Sequence, residues 1–257
     1  MEALSTMIYA IKERKGFVVI TGNIGSRKTT ICRALLNQLD SKTQTALITN
    51  THMSGKDLLV SILEELEIEF ELGSKSKLLS QLNSYLIEQL RLNQNVVLII
   101  DEAQNLTPAV LEEVRMLSNL ETENEKLIQI IFLGQPELKK KLALPRLEQL
   151  RQRIAVYFHL TPLNEDDARK YILHRLKIAS GSDQEYFTEK ALGLIYQFSQ
   201  GTPRLINQIC DSALLTGYIA EKKVIDEQVL LEVIGESPMV QITREDKSSI
   251  NEASIYN

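Results

Sequence analysis

The run Gly22-Asn23-Ile24-Gly25-Ser26-Arg27-Lys28-Thr29-Thr30 sets a lysine and two threonines behind two glycines. Glycine-bearing loops of this spacing, between a strand and a helix, wrap successive backbone N–H groups around phosphate oxygens. A helix opening at Lys28 would add the positive end of its dipole. Lys28 would reach the β/γ oxygens of a nucleoside triphosphate, and Thr29 would hold Mg²⁺ through its hydroxyl. All nine residues of the run are therefore candidates for binding ATP, in the manner of a Walker A loop. The bland alternative is a turn beside a chance Lys-Thr pair, and the flanking strand and helix signals argue against it. One position breaks the pattern, because Arg27 stands where a glycine is expected. Its side chain has three options: to crowd the phosphates and slow turnover, to swing outward, or to join the phosphate contacts.

A second cluster has the residue types for hydrolysis. Five apolar residues from Val96 to Ile100 run straight into Asp101 and Glu102. Buried strands of open α/β sheets deliver ligand-binding groups at their C-terminal ends. Asp101 would orient Mg²⁺, and Glu102 would accept a proton from the attacking water. This is a Walker B element. Gln135 follows the apolar stretch 127–133 and would stand beside these carboxylates if the two strands are neighbours. It is a sensor-1 candidate, with an ordinary loop glutamine as the alternative. Arg151 and Arg153 precede another strand, where an arginine can reach the γ-phosphate of an adjoining subunit. Arg204, in Gly201-Thr202-Pro203-Arg204, opens a helix and would reach back to the γ-phosphate as a sensor-2 arginine.

These groups need a scaffold with several strand ends on one edge. Strand-sized apolar runs at 17–21, 46–49, 96–100 and 127–133 alternate with helical patterns at 28–39, 55–66 and 75–92. A further helix is opened by Thr107-Pro108, with Val110, Val114 and Leu117 on one face. Strands alternating with helices predict an α/β fold, a parallel sheet covered on both faces. After His159 only helical signals remain. The expected organisation is an ATP-binding α/β domain over 1–160, a helical lid over 161–235 and a polar tail over 236–257.

Bulk properties remove several function classes. The chain has 257 residues, 44% hydrophobic, with a net charge of −5 that creates no general attraction for nucleic acid. Cys32 and Cys210 lie far apart and read as buried free thiols. With His52, His159 and His174 scattered, no zinc-type spacing exists. No apolar run approaches the ~20 residues that cross a bilayer. No signal-peptide pattern opens the chain. The expectation is a cytoplasmic protein with no membrane span of its own.

The chain resembles the bacterial ExeA-type (general secretion pathway protein A) AAA+ ATPases over roughly residues 1–235. The resemblance rests on Gly-Phe-Val-Val-Ile-Thr-Gly, Ile-Asp-Glu-Ala-Gln-Asn-Leu, Leu-Gly-Gln-Pro-Glu-Leu, Leu-Arg-Gln-Arg-Ile and Gly-Thr-Pro-Arg-Leu-Ile-Asn. It implies a P-loop NTPase fold with a C-terminal helical lid, ATP with Mg²⁺, and nucleotide-dependent self-association. It also implies the roles given above for Lys28, Thr29, Asp101, Glu102, Gln135 and Arg204. The same core is similar to the transposition ATPases of the MuB, TniB and TnsC type. The leading expectation is an ATPase serving a protein client in bacterial envelope secretion or export, held at the inner membrane through a partner. A DNA-bound transposition regulator is the alternative, opposed by the acidic charge and few aromatics. A nucleotide-binding scaffold with weak hydrolysis is the third, motivated by Arg27.

Overall fold

A computed structural model of the chain describes residues 2–40, 42–121, 125–182 and 184–236. The expected tail, 236–257, lies outside the described residues apart from Glu236. The chain divides into two compact units, Met1–Thr161 and Pro162–Asn257.

The first unit runs α1 (Glu2–Lys12), β1 (Phe17–Gly22), α2 (Lys28–Leu36), β2 (Thr43–Ile48), α3 (Gly55–Glu65) and α4 (Lys75–Arg91). It continues with β3 (Asn95–Ile100), a 3₁₀ turn (Ala103–Asn105), α5 (Pro108–Leu117), β4 (Gln129–Gly134), α6 (Pro136–Leu142), α7 (Glu148–Gln152) and β5 (Ile154–Leu160). The five strands form one sheet in the order β2-β3-β4-β1-β5. Every pairing is parallel. Such a sheet needs a crossover after each strand, and helices on both faces bury it.

The alternation of side chains along each strand divides the core in two. Phe17, Val19, Leu98, Ile100, Ile130 and Phe132 face α3, α4 and α5. Val18, Ile20, Val97, Ile99, Ile131 and Leu133 face Met7, Ala10 and Ile11 of α1 and Cys32 and Leu35 of α2. Phe17 and Phe132 stack across the β1–β4 pair with ring centroids 5.6 Å apart. Helix starts are fixed by local chemistry: Ser54 forms a capping box with Asp57. Thr107 accepts from the Val110 N–H, with Pro108 in the first turn.

Three boundaries differ from expectation by more than one residue. Strand β2 begins at Thr43 because an edge strand tolerates the half-buried Thr43, Gln44 and Thr45, which an apolar-run criterion passes over. Helix α2 ends at Leu36, and the chain tightens into a turn in which Gln38 N–H donates to the Leu35 carbonyl. Strand β4 starts at Gln129, because the Leu127 N–H donates to the Leu120 carbonyl instead of joining the sheet ladder.

The second unit consists of α8 (Glu165–Ser180), α9 (Glu189–Ser199), α10 (Pro203–Ile219) and α11 (Glu227–Glu236). Ala168, Ile172, Leu192, Ile195, Ile206, Ile209, Ala213 and Leu230 form its core. Gln200 (φ 49°) and Gly201 (φ 71°) turn the chain from α9 into α10 through two successive left-handed residues. A Cβ on Gly201 would lie 1.9 Å from the Leu163 carbonyl oxygen, which only glycine permits. Cys32 and Cys210 are both buried free thiols, pushed up to about 11 and about 12 by burial. No helix among the described residues is long and apolar enough to cross a membrane.

Candidate functional site

Strand register brings the candidate residues of the first unit to one edge. Ile100 pairs with Phe132, and Gly134 pairs with Thr21. The loop after β1, the carboxylates after β3 and Gln135 after β4 therefore leave three adjacent strands on the same side. The crevice beyond the strand carboxyl ends is the ligand position of open parallel sheets.

In the 22–30 loop, Lys28 is buried at the start of α2, and its Nζ donates to the carbonyls of Gly22 (2.9 Å) and Asn23 (3.3 Å). Burial pushes the ammonium below its ordinary value, against the pull of Glu102, Asp101 and Glu137. Ser26 Oγ is a buried hydroxyl without a hydrogen-bonding partner among the described residues. A Cβ on Gly22 would lie 2.5 Å from that oxygen, so Gly22 makes room for Ser26 inside the loop. At the tip, Asn23 and Ile24 are exposed, and Gly25 has φ 81°. Thr29 and Thr30 are exposed on the first turn of α2.

Arg27 takes φ 65° and ψ 34°, the left-handed region that a glycine occupies without strain. The arginine thus holds a backbone shape that a glycine would adopt freely. Its side chain is half-buried.

Thr29 Oγ1 donates to Asp101 Oδ2 at 3.2 Å. A hydroxyl and a buried carboxylate at this separation form a hard-oxygen donor pair suited to a small divalent cation. Asp101 Oδ1 accepts from the Glu102 N–H at 2.8 Å. Glu102 is itself left-handed, with φ 50° and ψ 37°. Its carbonyl accepts from the buried Thr51 hydroxyl at 3.2 Å.

The Glu102 carboxylate is held by amides. Its Oε2 accepts from Gln104 Nε2 at 2.5 Å and from Gln135 Nε2 at 3.2 Å. The Gln104 bond, then the Gln135 bond and the Lys28 ammonium, hold this carboxyl below its ordinary value despite burial. A carboxylate so held is ionised at neutral pH and can act as a base.

Arg151 and Arg153 immediately precede β5. Arg153 is tied inward, its guanidinium donating to Ser118 Oγ at 2.7 Å. Arg151 is exposed, with one long contact of 3.4 Å to the Ala143 carbonyl. Arg204 belongs to the second unit and is exposed on the first turn of α10. Thus Lys28, Thr29, Asp101, Glu102 and Gln135 come together in the first unit.

Sequence reasoning passed over three residues here. Gln104 was visible within Asp-Glu-Ala-Gln, and Thr51 sits just past a strand end on the site edge. Lys141 carried no signal, being one lysine of a charged run. Its Nζ donates to the Gln104 carbonyl and, at 2.7 Å, to the Leu106 carbonyl.

The chain is 43% identical over 218 residues to General secretion pathway protein A of Aeromonas hydrophila, covering 84% of this chain and 40% of that protein. It therefore spans less than half the length of that relative. Among solved structures it is similar to Cdc6p from Pyrobaculum aerophilum, with a TM-score of 0.68 and 19% identity, covering 87% of this chain and 63% of the other. It is also similar to the RuvB Holliday junction branch migration motor of Thermotoga maritima, with a TM-score of 0.62 and 16% identity over 91% of this chain and 68% of that one. At such identities these structures share the fold alone. The family model described as AAA domain matches residues 11–142, from the end of α1 to the end of α6. Those residues carry the phosphate loop, both carboxylates and Gln135, and the chain belongs to the AAA domain family.

Proposed function

We propose that this chain is an AAA+ ATPase that couples ATP hydrolysis to assembly or energy transduction in a bacterial envelope secretion or export system. One observation carries the catalytic part: the Thr29–Asp101 pair and the Glu102–Gln135 pair meet beside Lys28 at the ends of three adjacent strands. In this reading the backbone from Gly22 to Thr30 wraps the phosphates, and Lys28 exchanges its loop carbonyls for β/γ oxygens. Thr29 and Asp101 would hold Mg²⁺, which supplies charge neutralisation at the phosphate oxygens when bound. Glu102 takes a proton from water as the water oxygen bonds to the γ-phosphorus. The bond to the bridging oxygen then breaks, leaving ADP and phosphate. Gln135 helps to set the water's position.

Residues 161–235 would act as the lid, with Arg204 sensing the γ-phosphate. Arg151 is the better candidate than Arg153 for reaching a neighbouring subunit, since it is exposed and Arg153 is tied to Ser118. The secretion reading is supported by the 43% identity to a protein named for that pathway. The client would be a protein of the envelope system, with the chain held at the inner membrane through it.

Calorimetry and phosphate release test the core of this reading. Lys28→Ala should lose ATP binding, because the phosphates lose their closest cation. Glu102→Gln should bind ATP and stall at least 100-fold below wild type, the scale of losing a general base. Near-wild-type affinity in the first variant, or unchanged turnover in the second, would overturn the assignment. Sedimentation with ATP, with and without duplex DNA, separates a secretion ATPase from a DNA-assembled regulator.

A second reading, a nucleotide-binding scaffold with weak hydrolysis, is favoured by Arg27. A long side chain on the loop turn next to Lys28 is well placed to oppose close approach of the phosphates.

A further inference from the structure

The Glu102 carboxylate has a partner that no hydrolytic scheme above requires. Gln104 lies two residues on, in the 3₁₀ turn, and its side chain faces two ways. Its Nε2 donates to Glu102 Oε2 at 2.5 Å, while its Oε1 accepts from the Gln135 backbone N–H at 3.0 Å. The Gln135 side chain closes the loop by donating to the same Glu102 oxygen at 3.2 Å. Carboxylate, amide and strand-end backbone thus form a closed hydrogen-bonded ring spanning the ends of β3 and β4.

Two features hold the ring in place. Lys141 of α6 donates to the carbonyls of Gln104 and Leu106, pinning the turn that carries Gln104. A Cβ on Gly134 would lie 3.0 Å from Gln104 Oε1 and 2.9 Å from Leu138 Cδ2, so the glycine before Gln135 leaves room for the amide. An amide suits the position. It must donate to a carboxylate at one end and accept an N–H at the other, which neither a carboxylate nor an ammonium does.

We propose that Gln104 is a positioning residue for hydrolysis, clamping the Glu102 carboxylate to the backbone of Gln135 so that base and sensor glutamine are set together. The proposal rests on Glu102 being the base. Glu102 occupies a left-handed backbone and its Oε1 has no hydrogen-bond partner among the described residues, so its aim depends on what holds Oε2. When Gln135 turns toward a ligand, Gln104 keeps the carboxylate from following.

The test uses the full chain and two substitutions. Gln104→Ala deletes the clamp. Gln104→Glu fills the same volume and keeps an acceptor for the Gln135 N–H, but cannot donate and sets a like charge against Glu102. Both variants should keep KM for ATP within about twofold. The first should lower kcat about tenfold, a modest share of what misplacing a catalytic group can cost, and the second should lower it further. A space-filling role predicts the opposite order, with the near-isosteric Glu milder than Ala, and that order would overturn the proposal. Melting temperatures identify any variant that has lost its fold. Independently of turnover, Glu102→Ala without added nucleotide should shift the side-chain amide resonances of both Gln104 and Gln135. An unmoved Gln104 resonance sinks the clamp. A wild type that releases no phosphate instead overturns the ATPase reading, and the resonances still decide the clamp.

Discussion

Arg27 and Glu102 share a backbone conformation that L-residues seldom take, and they lie on the two sides of one site. Left-handed φ/ψ costs a residue with a Cβ roughly 1–2 kcal/mol. Such strain persists where the surroundings over-determine it. For Glu102 these surroundings are visible: Thr51 on its carbonyl, Asp101 on its N–H and two amides on its carboxylate. For Arg27 the conformation has an experimental use. A glycine adopts the same angles freely, so Arg27→Gly leaves the loop path unchanged and reports on the side chain alone. Relief of strain and the extra freedom of unfolded glycine are both about 1 kcal/mol, so their contributions to stability nearly cancel. If the side chain crowds the phosphates, ATP affinity should rise about tenfold, or ~1.4 kcal/mol, and hydrolysis should rise with it. Affinity that falls severalfold by calorimetry would make Arg27 a ligand instead. The oddity of Arg27 was legible in the sequence. That of Glu102 was not, since nothing in a Walker B pattern encodes a backbone angle.

Strands β1 and β3 followed the sequence closely. The wholly buried β1 and the nearly buried β3 are built on apolar runs of four and five residues, and their ends were readable to within a residue. Edge strand β2 was less so, because its polar start is half-buried. Helix α6 went unread: seven residues beginning at Pro136 carry three consecutive lysines and little periodicity. It matters to the site all the same, since Lys141 on it holds the turn bearing Gln104. The Gly-Thr-Pro-Arg segment divides its labour within one turn. Pro203 is buried and Arg204 exposed, while Gly201 makes the left-handed step against Leu163. Gly201→Ala should therefore destabilise the second unit by about 2–4 kcal/mol, combining backbone strain with overpacking. Denaturant unfolding measures this, and a change under ~0.5 kcal/mol would show that the turn can relax.

For the whole molecule, the arginine pair separates a working monomer from an assembly. An exposed Arg151 that acts in trans makes specific activity rise with protein concentration. Mixing Glu102→Gln with Arg151→Ala should restore part of the lost turnover, because some mixed interfaces carry an intact base and an intact arginine. Flat specific activity in a protein that stays monomeric with ATP would exclude this. The topology has a consequence of another kind, for the chain as it is made. The phosphate loop hangs from β1, which lies between β4 and β5. Thr21 at the end of β1 shares hydrogen bonds with Tyr157 and His159 of β5, and the Tyr157 hydroxyl is 2.8 Å away across 136 residues of sequence. Closing so long a loop is slow, and partners of that separation emerge last. At ~5–20 residues per second, β1 waits many seconds on the ribosome with both edges unpaired. A wholly buried strand of the candidate site is thus the earliest made and the latest sheltered, a natural client for chaperones during synthesis.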